Sequence, residues 1–299
     1  LGNFFPVSEE KTLISSTALG YSTPGILGAE RIEPAIVSLP RRRLTIRDLL
    51  RSRPVTQAQV DFIRESVFTN AASPQTEGSA KAETADTFTI VSEKIRTIAH
   101  WIPLSKQVWD DLPELRRFID ENLIYGLKLK EELEILSGDN LGDHLNGLTT
   151  QATSYAGTYI VAADTKLDTL RHAILELADA EEACSGFVLH PRDYHDIQLI
   201  KELTGGANTG RYVAADPLGG TLAVTTLWGV PCVLTRSITS GRFLAGDFSK
   251  ALILDRMQAT VDVSEEHSTF FTENKIAVRA EERIALAVLR VGAFRFGSF

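Results

Sequence analysis

One amine stands apart in this chain of 299 residues. Lys81, within SAKAETADTF, is the only basic residue between Arg64 and Lys94, and no helical or strand period surrounds it. A surface loop of that kind usually carries several charges, so a solitary lysine is either incidental or a reagent. A second constellation is Cys184 with His172 and the histidines of HPRDYHD, His190 and His195. It invites a Cys–His nucleophile, which needs thiol and imidazole within hydrogen-bond reach. His190 and His195 are five positions apart, however, not the four that put two ligands on one helical face, and HExxH is absent. The His-Pro-Arg-Asp turn reads more simply as a helix cap. TGGANTG, near 205–210, does not lead a strand into a helix as a phosphate cradle would, and reads as a mobile loop. With no P-loop, GxSxG elbow or kinase signature, no turnover enzyme, metal or cofactor is expected. A hydrolase around Cys184 and His195 remains the remote alternative.

Composition narrows the classes further. With 43% hydrophobic and 23% charged residues the chain has the makings of one large or two ordinary cores. A net charge of −8 argues against a surface built to wrap nucleic acid. No run approaches the roughly 18 apolar residues of a membrane span. Two cysteines, Cys184 and Cys232, are too few and too far apart for a disulfide framework or a zinc site. The chain opens LGNFFPVSEEKT, with neither Met nor a signal-like region, which raises the expectation of a processing site or of a missing N-terminal piece.

The elements that would position Lys81 come next. Residues 1 to about 40 lack periodicity and read as an arm that gains order by lying on another body, such as another copy of the chain. RRRLTIRDLLRSR is broken by Leu44, Ile46, Leu49 and Leu50, so its basic run reads as a solvated edge. QVDFIRESVF and DTFTIVSEKIRTIAHWIPL are β-rich and flank the polar tip TNAASPQTEGSAKAETA. Two such strands make an extended hairpin with little apolar surface to bury on itself, so it needs a neighbour to pack on. Lys81 rides near its tip.

DDLPELRRFIDENLIYGLKLKEELEILSGDN predicts a long helix. Asp111 and Glu114 have capping-box spacing, Pro113 falls in the first turn, and Leu115, Ile119, Leu123, Leu133 and Leu136 lie near one face before Gly138. The middle section alternates. A helix through Leu167, Leu170, Ile174 and Leu177 precedes a buried strand GFVL and a second helix from Pro191 through HDIQLIKEL. Strands then follow in LWGVPCVLT and RFLAGDF. ALILDRMQATVDV and NKIAVRAEERIALAVLRVGAF alternate over long spans. Ile276, Val278, Ala280, Ile284, Leu286 and Val288 fall on one face, with Lys275, Arg279, Glu281 and Arg283 on the other.

From about Arg42 to Phe294 the chain resembles the major capsid proteins of tailed bacteriophages, the Hong Kong 97 family. The matching strings run in order as RRLTIRDLL, VFTN, TIAHW, SKQVWDD, NLIYGLKLKEE with GDN after it, VLHPRDYHDI, GRY, WGVPCV, DRMQATVDVS and EERIALA. The resemblance implies an α+β capsid fold. Its parts are an N-terminal arm over 1–43, an E-loop hairpin with flanks over 44–100, a P-domain spine helix over 101–146, an α/β A-domain over 147–254, and P-domain long strands over 255–299. It further implies hexamers and pentamers in an icosahedral shell around double-stranded DNA bound without sequence preference. Portal, maturation protease and decoration proteins are the implied partners, with assembly in the host bacterial cytoplasm and residence in the virion. A cellular nanocompartment shell of the encapsulin type is the alternative within the fold.

Part of that family welds its shell by an isopeptide bond between a hairpin lysine and a P-domain asparagine, helped by a glutamate. By local match the resemblance gives those roles to Lys81, to Asn274 in FFTENK, and to Glu281, the first Glu of AEER. The chemistry is coherent. A lysine near its ordinary pKa of about 10.4 is protonated and cannot attack until an apolar contact made on assembly favours the neutral amine. The carboxamide is a weak electrophile, so the rate must come from positioning, and the carboxylate would carry the proton from amine to departing ammonia. Asn274 and Glu281 lie seven positions apart on an extended segment, some 23 Å at about 3.3 Å per residue, so the three roles are expected from different subunits. Read alone, Lys81 is equally a solvated loop lysine, Asn274 a turn former, and Glu281 the partner of Arg279 or Arg283.

Overall fold

The computed structural model describes residues 39–43, 46–74, 77–78, 80–111, 113–162, 164–204, 207–212, 226–267 and 270–299. Most of the expected arm therefore lies outside the described residues. In chain order the elements are α1 (Ile46–Leu49), β1 (Arg51–Pro54), β2 (Gln59–Thr69), β3 (Ala85–Lys94), β4 (Arg96–Ser105), α2 (Lys106–Asp111), α3 (Pro113–Ser137), α4 (Leu148–Gln151) and β5 (Thr153–Ser154). They continue with α5 (Lys166–Asp179), β6 (Gly186–Leu189), α6 (Pro191–Gln198), β7 (Lys201–Thr204), β8 (Ala207–Tyr212), β9 (Thr226–Leu227), β10 (Val230–Leu234) and β11 (Arg242–Gly246). The last are β12 (Ala251–Ser264), α7 (Phe270–Glu273), β13 (Lys275–Val288) and β14 (Phe294–Ser298). The mixture of long helix and largely antiparallel sheets is the α+β class expected.

Packing divides the chain into two units. The first contains 98–128 and 259–282, the second 43–97, 129–258 and 283–299. In the first unit the apolar stripe of α3 buries Leu115, Ile119, Leu123 and Leu127 against Leu104, Ile276, Val278 and Ala280, with Val108 and Trp109 of α2 closing the end. Pro113 opens α3, where its missing N–H costs nothing. Asp111 closes α2 instead, and its side chain lies outside the description, so the expected capping box is not seen. Leu133 departs from its assigned face, 40% exposed, while Ile135 and Leu136 are buried. Gly138 ends the helix by permitting close approach: a Cβ there would sit 2.3 Å from the Leu145 carbonyl.

In the second unit a sheet ordered β5-β14-β11-β6-β10-β9 carries the middle of the chain. Phe187, Leu189, Phe243 and Ala245 bury one face against Leu170, Ala173 and Leu177 of α5. Thr165 and Asp168 cap α5 reciprocally, and His190 caps α6 by accepting from Arg192 N at 3.1 Å, as the His-Pro-Arg-Asp reading anticipated. Two expectations are corrected here. Helix α6 stops at Gln198, because 201–204 pair with β8 as a short antiparallel ribbon, and 207–210 of the supposed glycine loop belong to that strand. Residues 205–206 lie outside the description.

The β-rich stretch from Asp86 to Leu104 is also two strands, parted at Ile95. Among the described residues β3 pairs only with β2, in a ribbon, while β4 joins the sheet β1-β12-β13-β4. The ribbon register pairs Ile63 with Ile90 and Glu65 with Phe88, then skips Ser66 and pairs Phe68 with Asp86. That bulge reverses the alternation, so Ile63, Phe68, Phe88 and Ile90 all share one face. The four are 62–72% exposed. At the ribbon's base Val60, Phe62 and Ile95 pack on Leu254, Ala285 and Ala287.

Candidate functional site

Lys81 lies in the connection between β2 and β3, four residues before the strand resumes at Ala85, and is exposed. Its described neighbours Ala80, Ala82, Glu83 and Thr84 are exposed as well.

Asn274 sits where the short α7 turns into β13. Its backbone is left-handed, with φ +50°, a conformation that asparagine tolerates better than most residues. Its carbonyl accepts from Lys106 N at 2.9 Å, which fixes the turn, while the residue itself is exposed. Glu281 is seven residues on, within the same uninterrupted strand. At about 3.3 Å per residue the two remain roughly 23 Å apart, so one subunit does not bring them together. Lys81 belongs to the other unit.

Glu281 meets Arg279, one of the two partners its place in the charged row suggested. It is 6% exposed, and Glu282 only 2%, because both faces of β13 are covered at this level. Arg279, on the same side of the strand, brings Nη2 to 3.4 Å from Glu281 Oε2 and donates from the same nitrogen to Asp262 Oδ2 at 3.3 Å. The alternation of residues foretold a charged row. It could not foretell the cross-strand register that places Asp262 of β12 beside Arg279 of β13.

Beside this triangle lies a groove of about 470 Å³ lined by Trp101, Asp262, Ser264, Glu266, His267, Ala277 and Arg279. Trp101 is half exposed, with ring centroids of His267 at 5.1 Å and Phe270 at 6.3 Å. No periodicity or motif marks this cluster, since its members come from β4, β12, β13 and the segment between the last two.

In the second unit a polar cavity of about 270 Å³ opens at the ribbon's base, lined among others by Glu93, Arg96, His144 and Asn146. Asn146 Nδ2 donates to Glu93 at 3.0 Å, yet burial holds that carboxyl above its usual range. Glu134 is the opposite case. Burial pushes it up, but hydrogen bonds from Lys130, His144 and the Leu145 amide outweigh that and hold it low.

The hydrolase alternative fares badly. Burial pushes the Cys184 thiol up, and Cys232 to about 12, the reverse of an activated nucleophile. The Cys184 thiol points to the Gly186 carbonyl at 3.6 Å, and His172 contacts Asp164.

Comparison with known proteins agrees with this architecture. The major capsid protein of Enterobacteria phage HK97 is 41% identical over 267 residues, covering 89% of this chain and 68% of its own. Among solved structures, the capsid of a native GTA particle superposes with TM-score 0.73 at 16% identity, covering 96% of this chain and 99% of that one. A chain from Mycobacterium phage Adephagia gives TM-score 0.69 at 13% identity, with 95% and 97% covered. Those identities speak for the fold alone. The sequence model described as the phage capsid family, however, matches residues 25–299, and on that match and the HK97 relative this chain belongs to the phage capsid family.

Proposed function

We propose that the chain is the major subunit of a phage head, assembling as hexamers and pentamers into an icosahedral shell that encloses double-stranded DNA, and that neighbouring copies are joined by a Lys81–Asn274 isopeptide bond with Glu281 as proton acceptor. The observation that carries the assembly reading is the ribbon. Four large apolar side chains on one face of a two-stranded ribbon are poorly placed in water, and a bulge gathers them there. A second copy is the partner that a shell protein always has to hand. Portal, maturation protease and decoration proteins complete the expected partners, and the virion is the expected location, with assembly in the host cytoplasm.

Three observations support the crosslink. Lys81 and Asn274 are both exposed, so each is open to another copy. Glu281 is only 6% exposed, so bulk water does not compete with an incoming amine for its carboxylate. The roughly 23 Å between Asn274 and Glu281 demands that different copies supply them. The balance is simple. A lysine ammonium and a carboxamide become a secondary amide and an ammonium ion, with Glu281 carrying one proton from the amine to the leaving nitrogen.

The test is denaturing gel electrophoresis of boiled particles, with mass spectrometry of their peptides. Ladders, and a branched Lys81–Asn274 peptide lighter by one ammonia, are expected from the parent chain. Lys81→Arg, whose guanidinium does not deprotonate, and Glu281→Gln should give intact particles that run as monomer. Monomer from the parent's intact shells would overturn the crosslink and leave the shell standing. A purified chain that never assembles would overturn both.

A further inference from the structure

Arg279 is shared between two carboxylates of unequal environment. Asp262 has a side chain 59% exposed, Glu281 one only 8% exposed, and a single nitrogen of Arg279 lies 3.3 Å from the first and 3.4 Å from the second. The contact to Asp262 has hydrogen-bond geometry, while the approach to Glu281 is a contact of charge. Arg279 is itself half exposed and borders the groove beside Trp101. Charge acts more strongly on the shielded partner, because less water screens it.

We propose that Arg279 restrains Glu281 in the crosslinking reaction and that Asp262 sets the strength of the restraint by competing for the same guanidinium. This rests on the reading that Glu281 takes the proton from Lys81. An oxygen that is neutralising a guanidinium is a poorer acceptor for an incoming proton, so the step N–H to O–H at Glu281 proceeds from the arrangement in which Arg279 leans on Asp262. Neither Arg279 nor Asp262 meets the reacting atoms. Arg279 acts through Glu281, and Asp262 acts through Arg279.

That chain of action predicts an epistasis which a purely structural role would not produce. Arg279→Leu should form the Lys81–Asn274 bond about threefold faster than the parent, the scale of a partly exposed ion pair. Asp262→Asn, which leaves Arg279 wholly to Glu281, should form it about threefold slower. The double variant should match Arg279→Leu, because Asp262 has nothing left to act through. The experiment follows gel ladders over time in purified particles verified as complete by electron microscopy, with Glu281→Gln as the blank. Arg279→Gln substitutes where the leucine variant does not assemble.

An Asp262→Asn defect that persists without Arg279, or an Arg279→Leu rate at or below the parent's, overturns the proposal. Parent particles that crosslink, with Glu281→Gln silent and the Arg279 and Asp262 variants unchanged, overturn this inference alone. Parent particles that form no bond overturn the crosslink reading, and this one with it.

Discussion

At the scale of single residues, the left-handed turn at Asn274 separates folding from chemistry. Aspartate shares asparagine's tolerance of positive φ, so Asn274→Asp should keep the turn and its Lys106 amide bond while removing the amide that has to leave as ammonia. Particles of that variant should assemble and remain uncrosslinked. Asn274→Ala should lose the crosslink too, but also about 1 kcal/mol of stability measurable by denaturant unfolding, since alanine dislikes that conformation.

Glu93 offers a pH test. Burial raises its pKa in the fold, opposed by the Asn146 hydrogen bond and by the charges of Arg64 and Arg96, so the folded chain holds that proton more tightly than the unfolded one. Stability from this group is present below the unfolded carboxylate range and is lost as pH rises through the folded value. Glu93→Gln keeps an acceptor for Asn146 and never ionises. It should melt above the parent near neutral pH, and the difference should close as pH falls into the acid range, readable by thermal melts across pH.

What a sequence can say about single residues is uneven. Lys81 declared itself through isolation and proved exposed. Glu281 gave no hint of burial, because strict alternation puts it in a charged row, yet it is 6% exposed.

At the scale of elements, period carries most of the information. The spine helix, the buried GFVL strand and the long β12–β13 pair were all legible, since each keeps one period long enough to mark a face. The parting of β3 from β4 at Ile95 was not, because two strands of one chemical character in different sheets look like one. Nor was the bulge at Ser66, which has no composition of its own. Yet the bulge decides the ribbon's surface.

Substituting Phe68 and Phe88 with serine should change subunit unfolding free energy by no more than about 0.5 kcal/mol each, as both are exposed, while particle yield collapses. Inserting one residue between Thr87 and Phe88 should do similar harm by another route. With a partner for Ser66 the bulge is absorbed, which turns Phe68 to the far face and brings Val67 in its place. Native gels of the three variants distinguish loss of apolar area from its misdirection.

At the scale of the whole molecule, net charge sets what the surface attracts. A chain with net charge −8 has no general electrostatic attraction for a polyanion. Purified subunits should therefore fail to retard duplex DNA on a gel even at low salt, and shells should form without it. The overall class was legible from the order of elements. The bounds of the two packed units were not, because they fall inside α3 and β13, where nothing in the composition changes.

The aromatic cluster at Trp101 has one more consequence, and it is optical. The chain has three tryptophans. Trp109 is buried beneath the Arg116 guanidinium, and Trp228 stands exposed at a hairpin turn under Arg171, while Trp101 stands half open beside an imidazole. An indole so placed emits red-shifted light that histidine quenches, and both effects should lessen if assembly covers the groove. The protein thus contains its own fluorophore for following shell formation in real time, with Trp101→Phe as the subtraction that isolates its signal.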